Sequence, residues 1–378
     1  MELEDNTSSC KEGELLLAGI DCYSSAYQVL QGTKFVGNPD NTNDDTLMTW
    51  EPSNYGTEGP LKIGFQGRVV ASGPSFMNAT SAIGLQPTQD QNGGNPIGVK
   101  QGTMTLDENF MRSSSFDAYY QDAKGRPNLN VLERAIVIRL IYDEDTLGSD
   151  NVHVVGVTFV DNTSGVFHNI SCTNEVILSA GAFHSPFILK QNGIGPVEEL
   201  QKYGIEPIVV NENVGHHMQD HTAFSVIHAV KPEFASIAST SDMANNLNLL
   251  NSEQRAFYAG GESRWNSKWS APSGCTNGFQ EIPNDELESF GAGDIVWAGL
   301  VQQAQNEILY ESIWYPQFFS EEYGSPKSNT SYISVTVSNL AALSRGTVKI
   351  GSSSPLSDPK INPNVRSPTN HSDRWTCD

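Results

Sequence analysis

One stretch, EVILSAGAFHSPFILKQNGIGP at residues 175–196, constrains the fold more than any other. Val176, Ile177 and Leu178 form an apolar run of the kind that makes a buried strand. Ser179, Ala180, Gly181 and Ala182 then remove side-chain bulk from the backbone. His184 or Ser185 is placed to begin or cap a helix through PFILK, with Pro186 suited to its first position. Gly193 and Pro196 supply the stop. This order admits two readings. Bare backbone at a strand end lets a flat ligand approach while the free N–H groups of the helix face a phosphate, or the small residues only allow a tight turn to pack.

The surrounding sequence places that stretch in an α/β context. RSSSFDAYYQDAKGRP (112–127) predicts a short helix with serine N-caps and a Gly125–Pro127 stop. Three β-branched runs follow, in LNVLERAIVIRLIYDED, NVHVVGVTFVD and HNISCTNEVILSAGA, separated by acidic or Asn/Thr/Ser turns. PFILKQNG and PVEELQKYG then predict two short helical pieces before the strand-like IEPIVVNENVG, a strand–helix crossover. Beyond residue 230 come aromatic-rich helices and loops, SEQRAFYAGG, SRWNSKWS and DIVWAGLVQQAQ, and then two strand runs, SYISVTVSNL and GTVKIGSSS. This region predicts helices with a largely antiparallel sheet.

Charge and cysteine content exclude several function classes. The 22 basic and 44 acidic side chains leave a net charge of −22, which repels a phosphate backbone, so nucleic-acid binding is not expected. Cys10, Cys22, Cys172, Cys275 and Cys377 are scattered, with no CxxC pair, so neither a zinc knuckle nor a dense disulfide framework is expected. No apolar run is long enough to span a membrane. The first residues are acidic where a secretory signal would be basic, and localisation stays open. Sequons at Asn6, Asn78, Asn162, Asn169, Asn329 and Asn370 are glycosylation candidates only in an exported chain. In GHHMQDH, His217 and His221 would share a face if helical, beside Asp220, but no HExxH signature accompanies them and no metal site is expected.

VILSAGAFHSPFILKQNGIGP closely resembles the second signature of the glucose-methanol-choline (GMC) family of FAD-dependent oxidoreductases, with Asn192 where that family prefers Ser. YGTEGPLKI (55–63), RSSSFDAYY (112–120), RPNLNVL (126–132), VGHHMQDH (214–221) and SRGTVKIGSSSPLSDPKINPN (344–364) fall in the family's order. The resemblance implies an α/β fold: an incomplete Rossmann-like FAD-binding domain interleaved with an α+β substrate domain built on an antiparallel sheet. The expected division is a degenerate N-terminal region at 1–50, substrate-domain and connecting segments at 51–120, the central FAD-binding part at 121–229, the substrate-binding domain at 230–356 and a return to the FAD domain at 357–378.

The implied cofactor is FAD. Mapped residue by residue, Val137 is the adenine-contact candidate, Ser179, Ala180 and Gly181 lie near the diphosphate and ribose, and His184 and Ser185 are further cofactor contacts. The implied reaction is oxidation of a small-molecule alcohol, an apolar or aromatic alcohol or a secondary metabolite, by hydride transfer to the flavin, with oxygen or another electron acceptor. Tyr258, Trp265, Trp269, Trp297, Trp314 and Tyr315 either line a cavity for such a substrate or form the core. The family's opening GxGxxG is not found, nor is its catalytic histidine segment beyond DPKINPN, so no catalytic residue is assigned. The expectation is a truncated chain with exposed apolar surface: a partial alcohol oxidoreductase or, alternatively, a non-catalytic remnant or partner subunit of one.

Overall fold

The computed structural model describes residues 32–36, 47–70, 72–235, 246–270, 276–280, 310–315, 317–318, 327, 330–340, 342 and 344–365. Its strands are β1 (Thr33–Phe35), β2 (Leu61–Ile63), β3 (Gly98–Gln101), β4 (Ala135–Tyr142), β5 (Val154–Asp161), β6 (Phe167–Ser171), β7 (Ile194–Gly195), β8 (Val209–Val210), β9 (Thr222–Ala229), β10 (Thr276–Gln280), β11 (Tyr310–Tyr315), β12 (Tyr332–Asn339), β13 (Thr347–Lys349) and β14 (Lys360–Asn362). The longer α-helices are α1 (Gly73–Ala82), α2 (Gly181–Gln191), α3 (Val197–Lys202), α4 (Leu247–Ala259) and α5 (Gly261–Asn266). None of the described helices is long and apolar enough to cross a membrane. Five strands form one sheet in the order β3-β10-β11-β12-β9.

The chain divides into two compact units, the first comprising Met1–Asp122, Ile227–Gly278 and Ile313–Ser334, the second Ala123–Val226, Phe279–Ser312 and Val335–Asp378. In the first unit β1 and β2 pair in parallel, and Phe35 packs its ring against Trp50, Tyr55 and Phe65. Beside them lies a buried polar knot. The Asp90 carboxylate accepts from the Tyr55 hydroxyl, the Asn54 amide and the backbone N–H groups of Glu51 and Asn92, each at 3.0 Å. Burial is the main cause that pushes the Tyr55 phenol up to about 12. Four donors on one carboxylate make its burial tolerable.

The expected helix after RSSS forms with a wide turn at its start: a π-helical run, Phe116–Tyr120, continues into an α-helical turn, Gln121–Ala123. The Ser114 hydroxyl donates to Asp117 at 2.6 Å and its N–H to the same carboxylate at 3.2 Å, an N-terminal cap of the expected kind.

In the second unit β4, β5 and β6 form an antiparallel sheet from the three β-branched runs, with a register shift between Val137 and Arg139. The third run supplies β6 and no second strand. Val176–Leu178 do not form the expected buried strand: Ile177 is 75% exposed, and no described strand pairs with this segment. An apolar run becomes a strand only where a ladder partner takes its N–H and C=O groups. Beyond α2, β7 and β8 pair in parallel across the α3 crossover, in register Ile194↔Val209 and Gly195↔Val210. The expected strand in IEPIVVNENVG thus forms only as the two-residue β8, and its partner β7, also two residues long, falls in the Gly–Pro stop where no strand was expected.

The unit is tied together by a fully buried lysine. Lys190, at 0% exposure, donates to Glu199 Oε2 at 2.9 Å and to the Val348 carbonyl at 2.7 Å. Glu199 Oε1 accepts from the Ile350 N–H at 2.6 Å. Two side chains thus join α2, α3 and the β13 segment. Gly215 passes against the same point with φ +71°, and an added Cβ would stand 2.3 Å from the Val348 carbonyl oxygen and 2.6 Å from the lysine nitrogen, so only glycine fits. Replacing Glu199 by Ala strands the Lys190 charge in the core. The expected loss is about 3–5 kcal/mol in urea unfolding, and the Lys190→Met/Glu199→Leu double variant is expected to recover only part of it, because the Ile350 N–H and Val348 carbonyl lose their side-chain partners.

Candidate functional site

The site lies in the second unit, around the two ends of α2. The helix begins at Gly181, earlier than the sequence suggests, so Pro186 is its sixth residue and not its first. The earlier start is possible because Gly181 adopts φ +81°, a conformation costly to other residues. Pro186 then omits one intrahelical hydrogen bond. Ala180 occupies the N-cap and no side chain caps the helix. Ser179, Ala180, Gly181, Ala182, Phe183 and His184 are exposed. The first-turn N–H groups have no intrahelical acceptors and lie in exposed backbone, and open space surrounds the place where a Gly181 side chain would sit.

Ser185 is half-buried, and its hydroxyl accepts the Ala180 N–H at 3.0 Å, drawing the bare turn back onto the first helical turn. His184 is exposed and meets the Phe187 ring edge-on at 6.4 Å. Ser179 to Ser185 thus form one continuous patch. Val137 lies elsewhere, half-buried on β4 opposite Phe159 at the register shift. The backbone hydrogen-bond pattern changes there, which suits a strand whose main chain meets a ligand.

The other end of α2 is pinned to β4 by Asn192. Its side-chain oxygen accepts the Leu140 N–H at 2.8 Å, its amide donates to the Ile188 carbonyl at 2.8 Å, and its own carbonyl accepts from the Tyr142 hydroxyl at 2.6 Å. Burial pushes the Tyr142 phenol up to about 12. The shorter Ser of the family pattern could not span both backbones in this way. Asn192 therefore fixes where α2 stands relative to the strand that carries Val137.

GHHMQDH does not form a helix. His217 has φ +60° in an exposed loop, so His217 and His221 do not share a helical face, and no metal-binding group of His, Cys, Asp and Glu occurs among the described residues. Asp220 accepts the His221 N–H at 2.8 Å, and His217 meets Asn213 Oδ1 at 3.3 Å. Burial, followed by the charges of Lys190 and Lys349, holds the His216 imidazole below its usual range.

The aromatic tract divides. Trp314 is buried, stacked on Phe76 at 5.3 Å and hydrogen-bonded to Ser72, so it belongs to the core of the first unit. Tyr258 is 64% exposed, while Trp269 and Tyr315 are half-buried. Trp297 and the DIVWAGLVQQAQ helix lie outside the described residues, as does the Trp265 side chain.

With this geometry, comparison with known proteins gives the family: the GMC oxidoreductase profile matches residues 32–223, which include Val137, α2 and the bare turn. The chain belongs to the GMC oxidoreductase family. Dehydrogenase xptC of Emericella nidulans is 29% identical over 216 residues, 56% of this chain and 32% of that protein. An oxygen-dependent choline dehydrogenase of Staphylococcus epidermidis is 37% identical over 179 residues, 47% of this chain and 29% of that protein. An FAD-dependent oxidoreductase from Chaetomium thermophilum superposes with a TM-score of 0.72 at 21% identity, covering 90% of this chain and 59% of that one. A fungal aryl-alcohol oxidase gives 0.69 at 22% identity, covering 91% and 60%. These structures show a shared mixed α/β fold. The chain spans about a third of the xptC and choline dehydrogenase sequences and about 60% of these two solved chains.

Asn192 was visible in the sequence only as a departure from the family pattern, and nothing in its spacing announced three hydrogen bonds. Replacing it by Ala leaves the buried Leu140 N–H without its acceptor. The expected loss is about 1–3 kcal/mol of stability, with faster amide exchange at Leu140. Unchanged exchange there would remove Asn192 from this role.

Proposed function

We propose that the chain forms part of an FAD-binding alcohol oxidoreductase, acting on the CH–OH group of a small molecule with oxygen or another electron acceptor. The observation that carries this reading is the uncapped, exposed N-terminus of α2 behind a positive-φ glycine, within a stretch that matches the family. Exposed first-turn N–H groups, of which only that of Ala180 is taken by a side chain, suit a diphosphate.

In this reading Ser179, Ala180 and Gly181 hold the diphosphate and ribose side of the cofactor, His184 and Ser185 border it, and the Val137 backbone meets the adenine. The Ser185 hydroxyl keeps the turn closed, so the N–H groups are oriented before the cofactor arrives. Asn192 holds α2 and β4 in register, which fixes the spacing of the two contact points. Bound FAD supplies the hydride acceptor for alcohol oxidation. The second unit is assigned to the FAD-binding domain, with residues 121–229 at its centre, and the first to the substrate domain with residues 51–120 and much of 230–356.

The aryl-alcohol oxidase among the structural neighbours favours an aromatic alcohol over a sugar as first substrate to try. A second reading, a non-catalytic partner subunit, is favoured by the apolar side chains left exposed in the second unit: Ile177 at 75%, Val210 at 60% and Phe183 at 40%.

The test is anaerobic. Protein incubated with FAD and freed of excess is expected to retain flavin absorption, which bleaches on adding a primary aryl alcohol. Retained flavin that no alcohol bleaches supports the partner-subunit reading, and protein that retains no flavin overturns the cofactor assignment. Gly181→Val forces a β-branched residue to positive φ at a cost of about 1–2 kcal/mol. It is expected to weaken FAD binding about tenfold, measured by flavin fluorescence titration.

A further inference from the structure

The first unit contains a cavity of about 420 Å³ that the flavin reading does not use. Leu47, Pro74, Met77 and Pro87 supply apolar walls, and Lys100 on β3 is the one charged side chain in its lining. Pro87 and Gln89 are exposed at its rim, while Lys100 itself is only 2% exposed.

The surroundings of the lysine nitrogen are specific. Nζ donates to the backbone carbonyl of Thr49 and, at 3.3 Å, to that of Gln89, two further lining residues. The nearest carboxylate oxygen, Asp90 Oδ1, stands 4.0 Å away and already accepts from Tyr55 and Asn92. The Phe65 ring centre lies 5.5 Å from Nζ. Two carbonyls within hydrogen-bond reach match the two N–H bonds of a neutral amine and leave its lone pair unused. An ammonium would bring a third donor with no acceptor inside that distance. Burial, opposed by the Asp90 charge, lowers the lysine pKa to about 8.

We propose that Lys100 is a covalent capture site for a small apolar or aromatic aldehyde, held in this cavity as an imine. The lone pair of Nζ attacks the carbonyl carbon, and a proton passes from nitrogen to oxygen to give a carbinolamine. Loss of that hydroxyl with the remaining N–H proton releases one water and leaves C=N. No electrons are gained or lost. Uptake of one proton from solvent then gives the protonated imine, whose N–H can donate to one carbonyl while a water donates to the other. Thr49, Asn78, Thr88 and Gln89 also line the cavity, so the apolar character comes from Leu47, Pro74, Met77 and Pro87 alone, and a carboxylate ligand would be set against Asp90. The proposal requires no bound flavin, so its test is separate from that of the alcohol-oxidation reading.

The intact protein is exposed to benzaldehyde, trapped briefly with sodium borohydride and mapped by peptide mass spectrometry. The Lys100 peptide is expected to carry the benzyl adduct ahead of surface lysines, and Lys100→Arg, which keeps the charge but cannot form the imine, is expected to lose it. For an amine titrating near 8 the initial capture rate rises about tenfold between pH 7 and pH 9, whereas a surface lysine of ordinary pKa gains about a hundredfold. An unmodified Lys100 beside labelled surface lysines in the unaltered protein overturns the proposal, as does capture at Lys100 with the hundredfold dependence.

Discussion

The Lys190 ammonium is cut off from water, so its charge must be answered within the protein, and the groups that answer it come from two separate places in the chain. Glu199 reaches it from the next helix, and the Val348 carbonyl comes from a strand more than 150 residues downstream. Glu199 then uses its second oxygen to hold the Ile350 N–H. Removing either side chain would leave a charge or a backbone group unsatisfied in the core, where its cost exceeds that of most single contacts. The pair therefore acts on the arrangement of the second unit as much as on its stability, and the glycine at 215 exists because the chain must pass this crowded point.

The geometry of the candidate site follows from that arrangement. Lys190 is the penultimate residue of α2, so the ion pair anchors the C-terminal end of the helix, and Asn192 just beyond it ties that end to the backbone of β4. The N-terminal turn has no side-chain cap from Ala180, and Ser185 takes only the Ala180 N–H there. A helix held at one end and open at the other presents its N–H groups in a fixed direction, which is what pre-organised anion binding requires. The exposed Ile177 and Phe183 beside that turn show that the surrounding surface is also unfinished in apolar terms.

How much of this could be read from the sequence depended on how local each feature was. The β-branched runs of β4, β5 and β6, the serine cap before Asp117 and the helix α3 are set by neighbours in sequence, and all appear as expected. The strand at Val176–Leu178 does not, because a strand depends on a partner elsewhere and apolar spacing cannot name one. The early start of α2 turns on a single backbone angle at Gly181, whereas Pro186 is the residue that pattern rules place first. Lys190, Asn192 and Lys100 are not legible as structural residues: each is polar in sequence, and each owes part of its role to a backbone group more than fifty residues distant. Family resemblance located the turn at 179–185, but only the fold shows which end of the helix is open.

The open turn before α2 and the β4 backbone near Val137 are proposed as two contact points of one ligand, and hydrogen–deuterium exchange of the intact protein with and without FAD reads both at once. FAD is expected to slow exchange in both 179–185 and 135–142 while the first unit is unchanged. Protection confined to other segments, or no protection at saturating FAD, would rule this arrangement out.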